Sequence, residues 1–281
     1  WKIILRVKQK GNHMDIRVVV DNNTFIDQYY LGEPAACFYL EVDGKRILFD
    51  CGYSDVLLKN ADKMKIDLNM LDLIVLSHGH NDHTGGLVHL AEQCDLSGCK
   101  LIAHPDCFYK KRFEGEQIGS PMTLSQLSDV VRVELSREPI RLTENLFFLG
   151  EIPEYFTFEK REPIGECERD TKWIPDQLLE DTALAYKTDE GVFIITGCSH
   201  SGICNISEYA KKITECERII GILGGFHIFK ESEKLFGTIQ YFKENHIHKL
   251  YPSHCVSFRA KALIDQEIKI SDVAVGRLIQ V

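Results

Sequence analysis

The sequence predicts an α/β domain folded as a four-layer αββα sandwich, two sheets face to face with helices on their outer surfaces. Three observations carry that expectation. Short runs that are apolar or alternate at period two recur along the chain, runs of helical period fall between them, and the second half repeats the order of the first. No linker-like stretch and no short-period repeat divides the 281 residues, so residues 14–281 are expected to form one domain. Residues 1–13 precede the first strand and are set aside as an N-terminal extension, native or appended.

Residues 16–20 and 37–42 alternate as strands do, and Asp43-Gly44 supplies the hairpin turn into a third strand at 46–50. A helical pattern follows at 54–65. Residues 71–76 form an apolar run of strand length broken only by Asp72, with a turn and a helix at 86–94 after it. Short strands at 100–103 and 146–149 bracket a helical stretch at 124–127. The second half begins with strands at 182–188 and 192–195 joined by Asp189-Glu190-Gly191, continues with helices at 206–214 and 234–245, and reaches a strand at 249–252. Residues 155–179 are charged and without period, so they are expected to be an irregular lid or substrate loop.

Composition narrows the function classes. With 44% hydrophobic and 27% charged residues the chain is ordinary globular protein, which excludes a disordered tail-like role. A net charge of −9 argues against a general nucleic-acid binder. The one dense basic run, Lys110-Lys111-Arg112, reads either as a solvated helix face or as a clamp on an anionic group of a substrate. Ten cysteines without a secretory pattern are expected as reduced thiols in the cytoplasm, and no apolar run is long enough to span a bilayer. A small molecule is the expected partner, and a homo-oligomer is left open.

The densest chemistry lies at Ser77-His78-Gly79-His80-Asn81-Asp82-His83, directly after the apolar run at 71–76. Strand ends are where open α/β sheets place their sites. His78 and His80, two apart on extended backbone, can reach one metal ion, while Asp82 and His83 diverge toward a second ion about 3.5–4 Å away. Outside this run, His227 follows Gly224-Gly225, where backbone can approach closely and an imidazole can donate to an anion. His104, in Ala103-His104-Pro105-Asp106, opens a helical turn after a strand, either to bind an anion or simply to start the turn. Asp181, just before the strand at 182–188, is a further site candidate. Ser199 and Ser253 neighbour histidines in sequence, but adjacency alone makes no nucleophile–base pair.

His-x-His-x-Asp-His at 78–83 resembles the hallmark of the metallo-β-lactamase superfamily. Residues 47–52, ending Asp50-Cys51-Gly52, look like that family's strand closing in Asp-x-Gly, and residues 250–254 look like its last ligand loop. The resemblance covers roughly residues 14 to 260. Gly150-Glu151-Ile152-Pro153, residues 196–205 and Gly224-Gly225-Phe226-His227 are similar to a narrower branch, which includes dihydropterin-ribofuranosylaminobenzene phosphate synthases and proteins known only as metal-dependent hydrolases.

The resemblance implies two divalent metal ions, zinc first and iron or manganese as alternatives, held by His78, His80, Asp82, His83, His200 and His254, with His254 on the second ion. Two positions depart from the superfamily. Cys198 stands where a bridging aspartate is usual, so either it ligates as a thiolate or His200 supplies the missing donor. Glu151 stands where a histidine is usual, and a carboxylate there could bind metal, carry a proton, hold a histidine from behind or remain plain loop polarity. Asp50 is expected to accept from the outer ring nitrogen of a ligating histidine. Asp82 or Glu151 would carry the proton, with His227 beside the substrate. The function expected is hydrolysis of a small anionic molecule, a phosphoester or a lactone, by metal-activated water. A transferase like the dihydropterin synthase is the alternative, and a diiron redox or metal-sensing protein is the second alternative.

Overall fold

The computed structural model describes residues 13–281, so residues 1–12, nearly all of the segment set aside as an extension, lie outside the described residues. Two sheets form the centre. The first has seven strands in the order Leu278–Gln280, Met14–Val20, Cys37–Val42, Lys45–Phe49, Leu73–Val75, Lys100–Ala103 and Arg132–Leu135. The second has six, in the order Lys249–Pro252, Ile219–Gly224, Gly191–Thr196, Ala183–Thr188, Leu146–Phe148 and Ile140–Arg141.

Alternation decides how they stack. Met14, Ile16 and Val18 point to one side of the first strand and meet Phe38, Phe49, Phe148, Leu184, Tyr186 and Phe193 in a core between the sheets. The opposite face of the first sheet is covered by the helices Val56–Met64 and Leu87–Gln93, through Leu57, Ala61, Leu87 and Leu90. The outer face of the second sheet packs on Ile203–Thr214, Glu233–Glu244 and Phe258–Glu267. Four layers result, as the periodicity predicts. No helix among the described residues is long and apolar enough to cross a membrane.

What matters for function is direction. The strands from Lys45–Phe49 to Arg132–Leu135 run parallel to one another, as do Gly191–Thr196, Ile219–Gly224 and Lys249–Pro252. Asp50, Ser77, His104, Cys198 and His254 each stand just beyond the carboxyl end of one of these strands, and His227 lies three residues past another. Asp50, Ser199, His227 and His254 take left-handed backbone (φ 60°, 58°, 48° and 47°), a conformation costly for non-glycine residues that turns the chain sharply as it leaves the sheet.

Three elements depart from expectation. The helix expected at 206–214 starts earlier, at Ile203, and the helix Phe258–Glu267 was not foreseen because its apolar stripe is thin. The segment 155–179 is not wholly irregular. Glu166–Arg169 and Lys172–Pro175 form a hairpin that joins Lys111–Phe113 and Glu116–Gln117 in a small four-stranded sheet. Charge hid this sheet, because ion pairs rather than an apolar face fix it. Lys111, 1% exposed, is clamped by Asp176 and by Glu180 at 2.6 Å. The neighbouring cations are paired as well, Lys110 with Glu168 at 2.9 Å and Arg112 with Glu166 at 2.7 Å, the latter lying over Trp173. The basic run is therefore neither a helix face nor a free clamp on substrate.

Candidate metal centre

Asp50 organises the centre from beneath. Its Oδ1 accepts the Ser77 backbone N–H at 2.7 Å, and its Oδ2 accepts the Ser77 hydroxyl and the Nδ1 proton of His83, each at 2.7 Å. Having given its one proton to Asp50, the Ser77 oxygen can only accept from His78 Nδ1, 2.9 Å away. His78 and His83 thus carry hydrogen on Nδ1 and turn their Nε2 atoms to the cleft. Burial alone would lower His83, but Asp82 and Asp50 outweigh it and hold it well above the ordinary histidine value, so without a cation its Nε2 also bears a proton toward Asp82. His254 follows the same logic from another quarter, since its Nδ1 donates to Asn22 Oδ1 at 2.9 Å. Gly79 lets the chain pass between His78 and His80, because a Cβ there would lie 2.3 Å from the Cys107 carbonyl oxygen.

The ring nitrogens converge. His78 Nε2 lies 3.2 Å from His80 Nδ1 and 3.3 Å from His200 Nε2. On the other side, Asp82 Oδ2 is 3.0 Å from His254 Nε2 and 3.4 Å from His83 Nε2, and Cys198 Sγ is 3.2 Å from His83 Nε2. Three groupings can each hold an ion: His78–His80–Asp82, His78–Cys198–His200, and Asp82–His83–Cys198–His254. Asp82 and Cys198 each appear on both sides, so the donors fit two neighbouring ions sharing ligands. Nitrogen facing nitrogen among His78, His80 and His200 at these distances repels unless a proton or a cation stands between them. His80 Nε2 is buried without a hydrogen-bond partner among the described residues. Imidazole, carboxylate and thiol together suit zinc or another borderline transition metal.

The titration behaviour follows from the same packing. Burial pushes His78 and His200 well below the ordinary histidine value and His80 down to about 4. For Asp82, burial alone would raise the carboxyl, but His83 and His254 outweigh it and hold it well below the usual range. Burial raises the Cys198 thiol, so a thiolate there needs a cation beside it.

The remaining candidates separate. His227 joins the centre, its ring 4.4 Å from that of His200 and its pKa lowered by burial to about 3. Asp181 is buried below the cleft, where its Oδ2 accepts the Ser201 N–H at 2.9 Å and the Ser201 hydroxyl, fixing the turn that carries His200. Glu151 turns away. Gly150, at φ 70°, sets the next peptide against Arg137, whose carbonyl accepts the Glu151 N–H at 2.8 Å, and the carboxylate meets Arg137 at 3.4 Å and His104 at 3.5 Å. Glu151 belongs to none of the ion-holding groupings among the described residues; its carboxylate lies against Arg137 and His104 instead. His104 acts as a cap, its Nδ1 accepting the Asp106 N–H at 3.1 Å, and not as an anion site. Asn22 and Ser77 were missed; Ser77 stood inside the motif, whereas Asn22 lies 232 residues from its histidine and carried no signal.

Residues 31–211 match the metallo-β-lactamase superfamily. The chain is 34% identical to the uncharacterised protein MJ0448 of Methanocaldococcus jannaschii over 94% of its own length and 99% of that protein. It is 32% identical to the 7,8-dihydropterin-6-methyl-4-(β-D-ribofuranosyl)-aminobenzene-5'-phosphate synthase of the same organism, covering 92% of this chain and 93% of the synthase. The crystal structure of Tm1679, described as a metal-dependent hydrolase of the β-lactamase superfamily, superposes with a TM-score of 0.81 at 30% identity, covering 95% of this chain and 99% of that one. With its His-x-His-x-Asp-His loop at the meeting of two stacked sheets, the chain belongs to the metallo-β-lactamase superfamily.

Proposed function

We propose that this chain is a dinuclear-metal-dependent hydrolase of a small anionic substrate. The observation that carries the proposal is the ring orientation: Asp50, Ser77 and Asn22 commit the Nδ1 atoms of His83, His78 and His254, so that three Nε2 atoms and Asp82 face one space. His78, His80, Asp82, His83, Cys198, His200 and His254 would hold two divalent ions, which would supply Lewis acidity and a water of lowered pKa. The chain's residues do the rest. Asp82 is the one carboxylate lining the cleft, so it is the group placed to take a proton from water. His227, neutral at physiological pH, is placed to donate a hydrogen bond to developing negative charge. Phe113, Ile118 and Phe229 wall the space over these groups.

The test is metal analysis of protein purified without added metal, followed by assay of stripped and reconstituted protein on phosphoesters and lactones. Metal bound and turnover restored by zinc, iron or manganese support the proposal; metal bound with no turnover across both classes counts against hydrolysis. Similarity to the dihydropterin synthase favours a second reading, transfer with loss of diphosphate. Pyrophosphate release that requires both the pterin diphosphate and the aromatic phosphate would select it.

A further inference from the structure

We propose that Lys234 binds an anionic group of an amphipathic substrate whose flat apolar body lies against Phe113, Ile164 and Phe229. The inference deepens the hydrolase reading and rests on it. Two hollows meet at the centre. One, of about 410 Å³, stands over His80, Asp82 and His254, with Pro34, Phe113, Ile118, Ile164 and Phe229 as the apolar part of its walls. The other, of about 680 Å³, runs on past Lys160, Lys230 and Lys234. Ile164, His200, His227 and Phe229 line both, so a molecule occupying the two has its middle at the histidines.

The two ends ask for different chemistry. At the first, Phe113 is 47% and Phe229 57% exposed, apolar surface left in water beside a reactive centre, and the Phe229 ring stands edge-on to His227 with centroids 4.8 Å apart. A planar ring system would cover both phenyl groups. At the second, three ammonium groups face Glu162 and Glu233. Lys234 differs from the other two. It is half-buried, its Nζ reaches only the His227 carbonyl oxygen at 3.5 Å, and no carboxylate pairs with it among the described residues. Glu159, the nearby buried acid, already accepts the N–H groups of Cys204 and Asn205.

Its place in the fold is also unfavourable. Lys234 sits in the first turn of the helix Glu233–Glu244, where the helix dipole opposes a cation. A bound anion would gain from both the ammonium and the dipole. Lys110 and Arg112, the cations that the sequence suggested for this task, are spent on Glu168 and Glu166.

Calorimetry on the zinc-loaded full chain, with metal content measured on the same samples, tests this with three probes: 1-naphthylphosphonate, methylphosphonate and 1-naphthol. The naphthylphosphonate should bind at least roughly tenfold tighter than either fragment. Lys234→Gln should weaken both phosphonates by roughly tenfold and leave naphthol unchanged, Phe229→Ala should weaken the two naphthyl compounds only, and Lys234→Arg should keep phosphonate binding. Wild-type affinity for the naphthylphosphonate in Lys234→Gln protein with its metal retained, or equal binding of methylphosphonate and naphthylphosphonate, overturns the proposal. Failure of the hydrolase reading appears elsewhere, as missing metal or missing turnover in the wild type.

Discussion

Asp50 Oδ2 accepts the Nδ1 proton of His83 at 2.7 Å with both side chains fully buried, and the same carboxylate sets His78 through Ser77. One acid thus fixes the tautomers of two proposed ligands. Asp50→Ala should lower metal affinity by about 10–100-fold without removing a proposed ligand. Chelator competition measures it, and unchanged affinity would break the link.

Sharing of ligands makes a prediction about stoichiometry. Asp82 and Cys198 belong to groupings on both sides of the centre, whereas His254 belongs to one. His254→Ala should leave about one equivalent of metal of an original two, while Asp82→Asn should lose both. Cys198→Ser separates ligation from packing: retention of both ions would make the thiol a bystander. Mass-spectrometric metal content reads all three.

Acid should destabilise the metal-free protein through His80. In the unfolded chain this histidine takes a proton as pH falls below 6.5; in the fold, burial delays that to about 4. The unfolded state therefore binds more protons across that window, and stability rises with pH through it. His80→Gln should abolish about 2 kcal/mol of the loss between roughly pH 6.5 and pH 5. Denaturant melts of both metal-free proteins at the two pH values decide it, and parallel losses would refute the assignment.

Lys111 is enclosed by Asp176 and Glu180, so removing its charge strands two buried carboxylates. Lys111→Met should cost about 3–5 kcal/mol, whereas Lys110→Met on the solvent side should cost about 0–1 kcal/mol. Urea unfolding compares them, and similar midpoints would show that the small sheet is held otherwise.

The two large sheets were legible through alternation at residues 14–18 and through apolar runs at 183–186 and 192–195 that are buried on both faces, as a sheet between a core and a helix layer demands. The His78–His83 loop was legible for a different reason: its side chains are local, and the next few residues already state its chemistry. What stayed hidden was long in range or charged in character. The small sheet at 111–117 and 166–175 has no apolar stripe to announce it, and Glu151 stands at the expected place in order yet is turned aside by the Gly150 bend onto Arg137. Lys234 looked like any surface lysine of a helix until the fold set it beside His227.

The Asn22–His254 hydrogen bond spans 232 residues. The grouping Asp82–His83–Cys198–His254 therefore takes its shape from chain at both ends of the domain, and it cannot exist until the strand Lys249–Pro252 has paired beside Ile219–Gly224. A partly folded chain holding only the His78–His83 loop has the first donors of the centre without the last, so completion of the cradle reports completion of the fold.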